Sequence, residues 1–206
     1  MKPVKNSLSS SRSVAFAHPL ALVESRRIGP RTRVWAFAHV QEGARVGADC
    51  NIGEHCFIEN GAVVGDRVTI KNGVFVWEGM RVGNDAFLGP NATFTNDRFP
   101  RSPRSRAAKA RYANRRWVAP IVIEEGCSVG ANATVIGPVK LGKGCMVAAG
   151  AVVTRDVAPG ALVAGNPARP MGHVNAKGER VGRRRARDER YGDGGVSRKK
   201  SRINAD

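Results

Sequence analysis

The feature that most constrains this chain is a step of six. From Ile28 onward every sixth residue is apolar: Ile28, Val34, Val40, Val46, Ile52, Ile58, Val64, Ile70, Val76, Val82, Leu88 and Phe94. All but Leu88 and Phe94 are β-branched. Four residues past each of the first eleven stands an uncharged and mostly small residue: Thr32, Ala38, Ala44, Cys50, Cys56, Ala62, Val68, Val74, Met80, Ala86 and Ala92. Glycine directly follows the aliphatic at Gly29, Gly47, Gly53, Gly65, Gly83 and Gly89. A period of six fits neither the 3.6 of a helix nor the 2 of a lone strand. A fixed repeat of this kind is the signature of a solenoid.

The physics of the repeat follows from its pattern. A short strand turns one β-branched side chain inward, and a turn follows with a small residue at the corner. Three such units close a triangular coil, and the next coil stacks on it at about 4.8 Å, the spacing of hydrogen-bonded strands. Each buried aliphatic contributes roughly 1.5–3 kcal/mol, but only once a neighbouring coil covers it, so several coils are required. After Phe94 the period stops. It returns at Ile123, Val129, Val135, Leu141, Val147 and Val153, with Cys127, Ala133, Val139, Cys145, Ala151 and Val157 at the small positions. The organisation expected is a flexible leader over residues 1–20, an all-β coil over 21–170 and a C-terminal extension over 171–206. In the coil, residues 21–27 form an imperfect capping rung and residues 95–120 a long loop. The extension is a short hairpin followed by a basic disordered tail.

The net charge of +17 suggests nucleic acid, but its placement argues otherwise. Eleven of the 34 basic residues lie between Lys177 and Arg202, and eight more between Arg98 and Arg116. Such runs are usually solvated segments, so nucleic acid is not expected as a partner. No stretch of about eighteen apolar residues marks a membrane span. The apolar part of the N-terminus is broken by His18 and Pro19, so no signal peptide is read there and a cytoplasmic location is expected. All four cysteines occupy small inward positions, as core fillers do. Cys127 and Cys145 should stack on one another, and a reducing compartment argues against a bridge between them.

Three segments carry a resemblance: ESRRIGPRTRVWAFAHV, CNIGEHCFIENGAVVGDRVTIKNGV and VWEGMRVGNDAFLGPNATFTNDRFPRSP, followed at the end of the coil by GNPARPMG. Over residues 21–182 the chain resembles the hexapeptide-repeat nucleotide-sugar N-acetyltransferases, especially those acting on dTDP-3-amino-3,6-dideoxyhexoses. The GPNATFTNDRFPR stretch is the most specific part. The resemblance implies a left-handed parallel β-helix and a homotrimer with sites between adjacent subunits. It implies acetyl-CoA as donor, a nucleotide sugar as acceptor, no metal, and a role in surface glycan or O-antigen synthesis.

The residues themselves point to one corner. Asn60, Glu78 and Asn96 are eighteen apart, each two positions after an inward aliphatic, and Asn96 stands where the loop departs. Loops leaving a rigid scaffold commonly carry sites. A carboxylate under an amide can hold an amine: Glu78 would accept its hydrogen bond and take its proton, while Asn96 would orient the amine or the acetyl carbonyl. On the residues alone the plainer reading leads, with Glu78 a solvated charge and Asn96 a corner residue satisfying backbone; the resemblance, which puts Asn96 in the FTND segment, reverses that in favour of catalysis. Asp97 either bonds substrate or caps the loop. Trp77 and Trp117 either stack on a ring or pack the loop, and Arg98 is a candidate for substrate phosphate.

A hydroxyl acceptor needs a base near neutrality, usually histidine. His39 and His55 lie in early coils, in different columns, far from the loop, so amine acetylation fits better than the alternative, O-acetyl or other acyl transfer. The donor is expected along the later coils. Gly130, Ala148 and Asn166 would form one bare column with Ala131, Ala149 and Pro167 beside it, and Lys143, Arg155 and Arg169 are the candidates for coenzyme A phosphates. Two readings from other classes stay open. A zinc enzyme on this fold needs an H-x4-H pair, which histidines at 18, 39, 55 and 173 do not supply. A noncatalytic binding module would work through the basic tail.

Overall fold

A computed structural model describes residues 14–181. Most hexapeptides form a short strand, Ile28 and Val157 making isolated bridges instead, and three hexapeptides close a coil. The first coil holds β1 (Phe16–Ala17) and β2 (Leu22–Val23). Then come β3 (Arg33–Val34), β4 (His39–Val40), β5 (Arg45–Val46), β6 (Asn51–Ile52), β7 (Phe57–Ile58), β8 (Val63–Val64), β9 (Thr69–Ile70), β10 (Phe75–Val76) and β11 (Met80–Val82). The later coils hold β12 (Phe87–Leu88), β13 (Thr93–Thr95), β14 (Ile121–Ile123), β15 (Ser128–Val129), β16 (Thr134–Ile136), β17 (Val139–Leu141), β18 (Met146–Val147), β19 (Val152–Val153) and β20 (Ala161–Ala164). A hairpin of β21 (Arg169–Val174) and β22 (Arg180–Val181) closes the edge.

Three parallel faces result. The first runs β1-β3-β6-β9-β12-β15-β18-β20 and the third β5-β8-β11-β14-β17. The second is split into β2-β4-β7-β10 and β13-β16-β19. The aliphatics of the six-residue step fill the interior: Val40, Ile52, Ile58, Ile70, Val76, Leu88, Ile123, Val129 and Leu141 are buried. This is the parallel β-helix the repeat predicts.

The corners explain many of the polar residues. A turning backbone takes N–H groups out of the ladder, and those groups need acceptors. Asn60 Oδ1 accepts from Gly43 N at 2.7 Å, Asp66 Oδ1 from Ala48 N at 2.8 Å, and Asn84 Oδ1 from Asp66 N at 2.8 Å. Arg31 forks onto Asp49, and Arg67 onto Asp85, eighteen positions on. Those hydrogen bonds hold both carboxyls below the usual carboxylate range.

The cysteines are free and buried. Each of Cys50, Cys56 and Cys127 donates to a carbonyl of the next coil, and Cys145 donates to Cys127 Sγ at 3.6 Å. Burial pushes the Cys56 thiol up to about 11.

Two boundaries differ from expectation. Residues 1–20 were expected as leader, yet β1 pairs with β3 in parallel, so the coil begins earlier. The edge of β3 would otherwise stand open, and Phe16–Ala17 covers it. At the other end, Val157 bridges Leu141, and Met146 pairs with Leu162, sixteen positions on rather than eighteen. The corner after β19 is two residues short, so Val157 takes an inward aliphatic position instead of a small one. The rest of the expected leader and most of the expected basic tail lie outside the described residues. Among the described residues no helix is long and apolar enough to cross a membrane.

Candidate active site at the neck of the loop

Leu88 pairs with Val129 across the insertion, which fixes the inserted segment as residues 97–119. It leaves the corner between the second and third faces. Asn96 O accepts from Ala119 N at 2.7 Å, a single hydrogen bond that closes the neck. On either side of it the coil resumes: Gly137 N donates to Thr95 O and Val139 N to Pro120 O. The returning chain lies against the coil at Gly79, where a Cβ would sit 2.7 Å from Val118 Cγ1. Gly79 has φ +83°, a conformation glycine adopts at little cost.

Glu78 and Asn96 meet at this neck, as the column predicts. Asn96 Nδ2 donates to the Glu78 carbonyl at 3.1 Å. That bond fixes the amide's orientation and leaves Oδ1 with no donor among the described residues. An amide oxygen held this way can accept from a donor such as an N–H. Glu59 Oε2 accepts from Glu78 N at 2.7 Å and holds the rung. The Glu78 carboxylate is 22% exposed and pairs with Arg115, a loop residue 72% exposed. Arg115 escaped the sequence reading. A dense run of basic residues opposite one carboxylate was the available signal, but a loop without period gives no register from which to choose the partner.

Asp97 belongs to the loop rather than to the open corner. Its side chain, 13% exposed, accepts from Arg111, from Tyr112 Oη at 2.7 Å and from Phe99 N at 3.0 Å. Arg111 also donates to Phe99 O, and Tyr112 Oη accepts from Arg101 N. Asp97 makes the bonds of a loop cap, the second of its two readings, and three of its roughly four acceptor sites are taken within the loop. The loop is not wholly irregular: Lys109–Tyr112 and Arg115–Trp117 form 3-10 turns, the second capped by Asn114 Oδ1 accepting from Arg116 N. Asp97→Asn keeps the shape and removes the charge that holds Arg111. Trypsin is then expected to cut at the loop arginines about tenfold faster; cleavage at the wild-type rate would show that the loop is held elsewhere.

Trp77 likewise packs. Its Nε1 donates to Phe94 O at 2.8 Å where the second face divides, and its ring meets Phe57 and Phe75 edge-on. Trp117 packs edge-on against Tyr112 at 5.4 Å and faces a cavity beneath the loop that Arg98 and Arg116 also line. Arg98 is exposed and lies 5.9 Å from the centre of the Phe99 ring.

The candidate donor residues divide. Gly130 and Ala148 stay in one column at the corner between the first and second faces, with Ala131 and Ala149 beside them. Gly130 is not bare for a ligand, however: a Cβ there would lie 2.4 Å from Ala149 N, so its smallness serves coil stacking. Ala149 and Gly150 form the exposed part of that corner. The short corner after β19 moves Asn166 off the column into the turn after β20, and Ala164 takes the place above Ala148. Lys143 lies on another corner, between the third and first faces, paired with Glu125 at 3.3 Å. Arg155 and Arg169 lie in the last coil and its exit, both exposed; Ala164 pairs with Arg169. No histidine joins the neck among the described residues: His39 pairs with Glu24 at 3.2 Å, and His55 stacks on Phe37. No cluster there of three or more His, Cys, Asp or Glu could hold a metal.

Known proteins share this frame. Residues 27–60 match the family described as bacterial transferase hexapeptide (six repeats), and residues 120–155 the hexapeptide repeat of succinyl-transferase. Over 45 residues the chain is 49% identical to the dTDP-3-amino-3,6-dideoxy-α-D-galactopyranose 3-N-acetyltransferase of Aneurinibacillus thermoaerophilus. That match spans 22% of this chain and 23% of that enzyme. A mutant of the Bacillus cereus N-acyltransferase AntD, solved with dTDP and coenzyme A, is 13% identical with a TM-score of 0.52, over 77% of this chain and 86% of that one. A hexapeptide-repeat-containing acetyltransferase from Vibrio cholerae is 25% identical with a TM-score of 0.46, over 69% and 70%.

Proposed function

The chain carries the hexapeptide repeats of bacterial transferases, and we propose that it moves an acetyl group from acetyl-CoA to the amine of a nucleotide-linked amino sugar. A dTDP-3-amino-3,6-dideoxyhexose is the acceptor that the 49% identical segment favours, and surface glycan synthesis is the use such a product would have. The observation that carries this reading is that Asn96, whose amide oxygen has no donor among the described residues, is bonded through Nδ2 to the backbone of Glu78, whose carboxylate is partly buried.

The chemistry follows from those two groups. A sugar amine arrives protonated. Glu78 accepts its proton, and Asn96 Oδ1 accepts an N–H and aims the lone pair. The nitrogen attacks the thioester carbonyl, the new C–N bond forms, and the C–S bond breaks as the tetrahedral intermediate collapses. The departing thiolate of coenzyme A takes up a proton from the nitrogen. Oriented attack of this kind supplies much of the rate. A hydroxyl would need a stronger base near neutrality, and His39 and His55 are engaged away from the neck.

The donor corner at Ala148–Ala149 and the neck at Glu78 lie at opposite edges of the second face. A homotrimer that sets one copy's donor corner against the next copy's neck completes three sites, with the exposed Arg155 and Arg169 as candidates for the phosphates.

Coenzyme A release over a panel of dTDP- and UDP-linked 3- and 4-amino sugars, each beside its hydroxyl counterpart, tests the reading. The amine should exceed the hydroxyl by about a hundredfold or more. Equal service of both, or release with neither, would sink it.

A further inference from the structure

Charge is spread unevenly over this fold. Residues 14–96 of the coil hold eight basic and eight acidic residues, and residues 120–181 hold six and four. The loop between them, residues 97–119, holds eight and one. A near-neutral coil thus carries one strongly positive excursion, and a concentrated charge of one sign attracts an extended partner of the other. The single acid, Asp97, is spent inside the loop on Arg111 and Tyr112, and Arg115 turns back to Glu78. That leaves Arg98, Arg101, Arg104, Arg106, Lys109 and Arg116, all exposed. The segment that presents them is folded. Tyr112 Oη accepts from Arg101 N and Arg111 donates to Phe99 O, which ties the outgoing chain to the turn at Lys109–Tyr112, beside the buried Ala108. Among the cations stands Phe99, at 68% the most exposed large apolar side chain of the described residues.

We infer that the loop is a contact surface for an anionic lipid bilayer, with the six cations over the headgroups and Phe99 entering the boundary of the acyl chains. Clusters of about four to eight Lys and Arg hold a peripheral segment to anionic lipid, each cation tightening the contact about fivefold. Charge alone makes a loose contact, and a stable one takes a second, apolar signal. Phe99 supplies it, since a phenyl ring has no polar atom to keep wet. A bilayer is a diffuse surface that asks for no set spacing, which suits cations at irregular intervals along a loop. Single-stranded nucleic acid instead asks for successive rings on which bases stack, and the other two rings of the loop, Tyr112 and Trp117, pack edge-on against each other. The contact is peripheral, because among the described residues no helix is long and apolar enough to cross a membrane. It stands apart from the acetyl-transfer reading and survives the loss of it.

Sedimentation of the full chain with lipid vesicles tests it. Wild type should pellet with vesicles of mixed phosphatidylglycerol and phosphatidylcholine, stay in solution with phosphatidylcholine alone, and come off the anionic vesicles as salt rises. Arg101→Gln, Arg104→Gln, Arg106→Gln and Lys109→Gln together should weaken binding by about fiftyfold or more. A matched set at exposed positions of the coil, Arg33→Gln, Arg45→Gln, Lys71→Gln and Arg81→Gln, removes the same charge and should cost less than about fivefold. Both sets keep the same basic termini, so the comparison isolates the loop. Phe99→Ser should weaken binding several-fold. Circular dichroism of each variant checks that the coil is intact. Wild type left in solution with anionic vesicles at low salt, equal losses in the two sets, or Phe99→Ser bound as tightly as wild type would overturn the inference. Single-stranded RNA held more tightly than the vesicles at equal phosphate concentration would overturn it too, and would assign the loop to nucleic acid.

Discussion

Glu78→Gln is expected to lower turnover with an amino sugar by about a hundredfold or more near neutral pH, the range in which a positioned base works. The substitution keeps the shape of the side chain. It removes the group that can accept a proton from the incoming ammonium and releases Arg115 from its pair. The coil should not notice: the structural bonds at this rung run through the Glu78 backbone, to Glu59 Oε2 and from Asn96 Nδ2. The pH profile separates a base from a mere contact. As pH rises the amine sheds its proton to solvent, so the gap between variant and wild type should close. Asn96→Ala should lose rate as well, but without that recovery, because an orienting acceptor is missing at every pH. A Glu78→Gln enzyme within threefold of wild type at pH 7, or a defect of constant size across pH, would remove Glu78 from the role of base.

The contrast between these two residues and the rest of the site shows what a repeat makes legible. Periodicity places residues in columns, so Asn60, Glu78 and Asn96 could be stacked by counting, and Asn96 is found bonded to Glu78. The same counting failed for Asn166, since two residues are missing from the corner after β19 and every later position slips. It failed in another way inside the loop. Whether Asp97 faces substrate or the loop depends on Arg111 and Tyr112, fourteen and fifteen positions away, with no period to connect them. Arg115, which holds Glu78, was hidden for the same reason. Residue type misled at Gly130: a missing side chain in a late coil reads as room for a ligand, while the space it leaves is already filled by the backbone of the next coil.

That last point leads to the second large expected effect. Two kinds of glycine occur in this coil, and they should respond differently to substitution. Gly89 follows the inward Leu88 and is buried; a Cβ there would lie 2.7 Å from Ala131 N and 2.8 Å from the Gly130 carbonyl carbon. These are backbone atoms of the neighbouring coil and cannot swing aside, so even Gly89→Ala must push two coils apart. Overpacking of that kind costs about 2 kcal/mol, or a melting temperature lower by about 4–8 °C for a chain of this size. Gly144 occupies a corner with φ +64° and nothing within 4 Å of a built Cβ. Asp49, Asp85, Asn91 and Asn132 adopt the same left-handed conformation at other corners, with φ between +55° and +58°. Asparagine tolerates that region, so Gly144→Asn should melt within a degree or two of wild type, an effect of about 0.5 kcal/mol or less. Equal melting temperatures for the two variants would mean that the glycines after the aliphatics serve backbone conformation rather than the approach of one coil to the next. A pair of thermal melts on otherwise identical protein decides between those accounts.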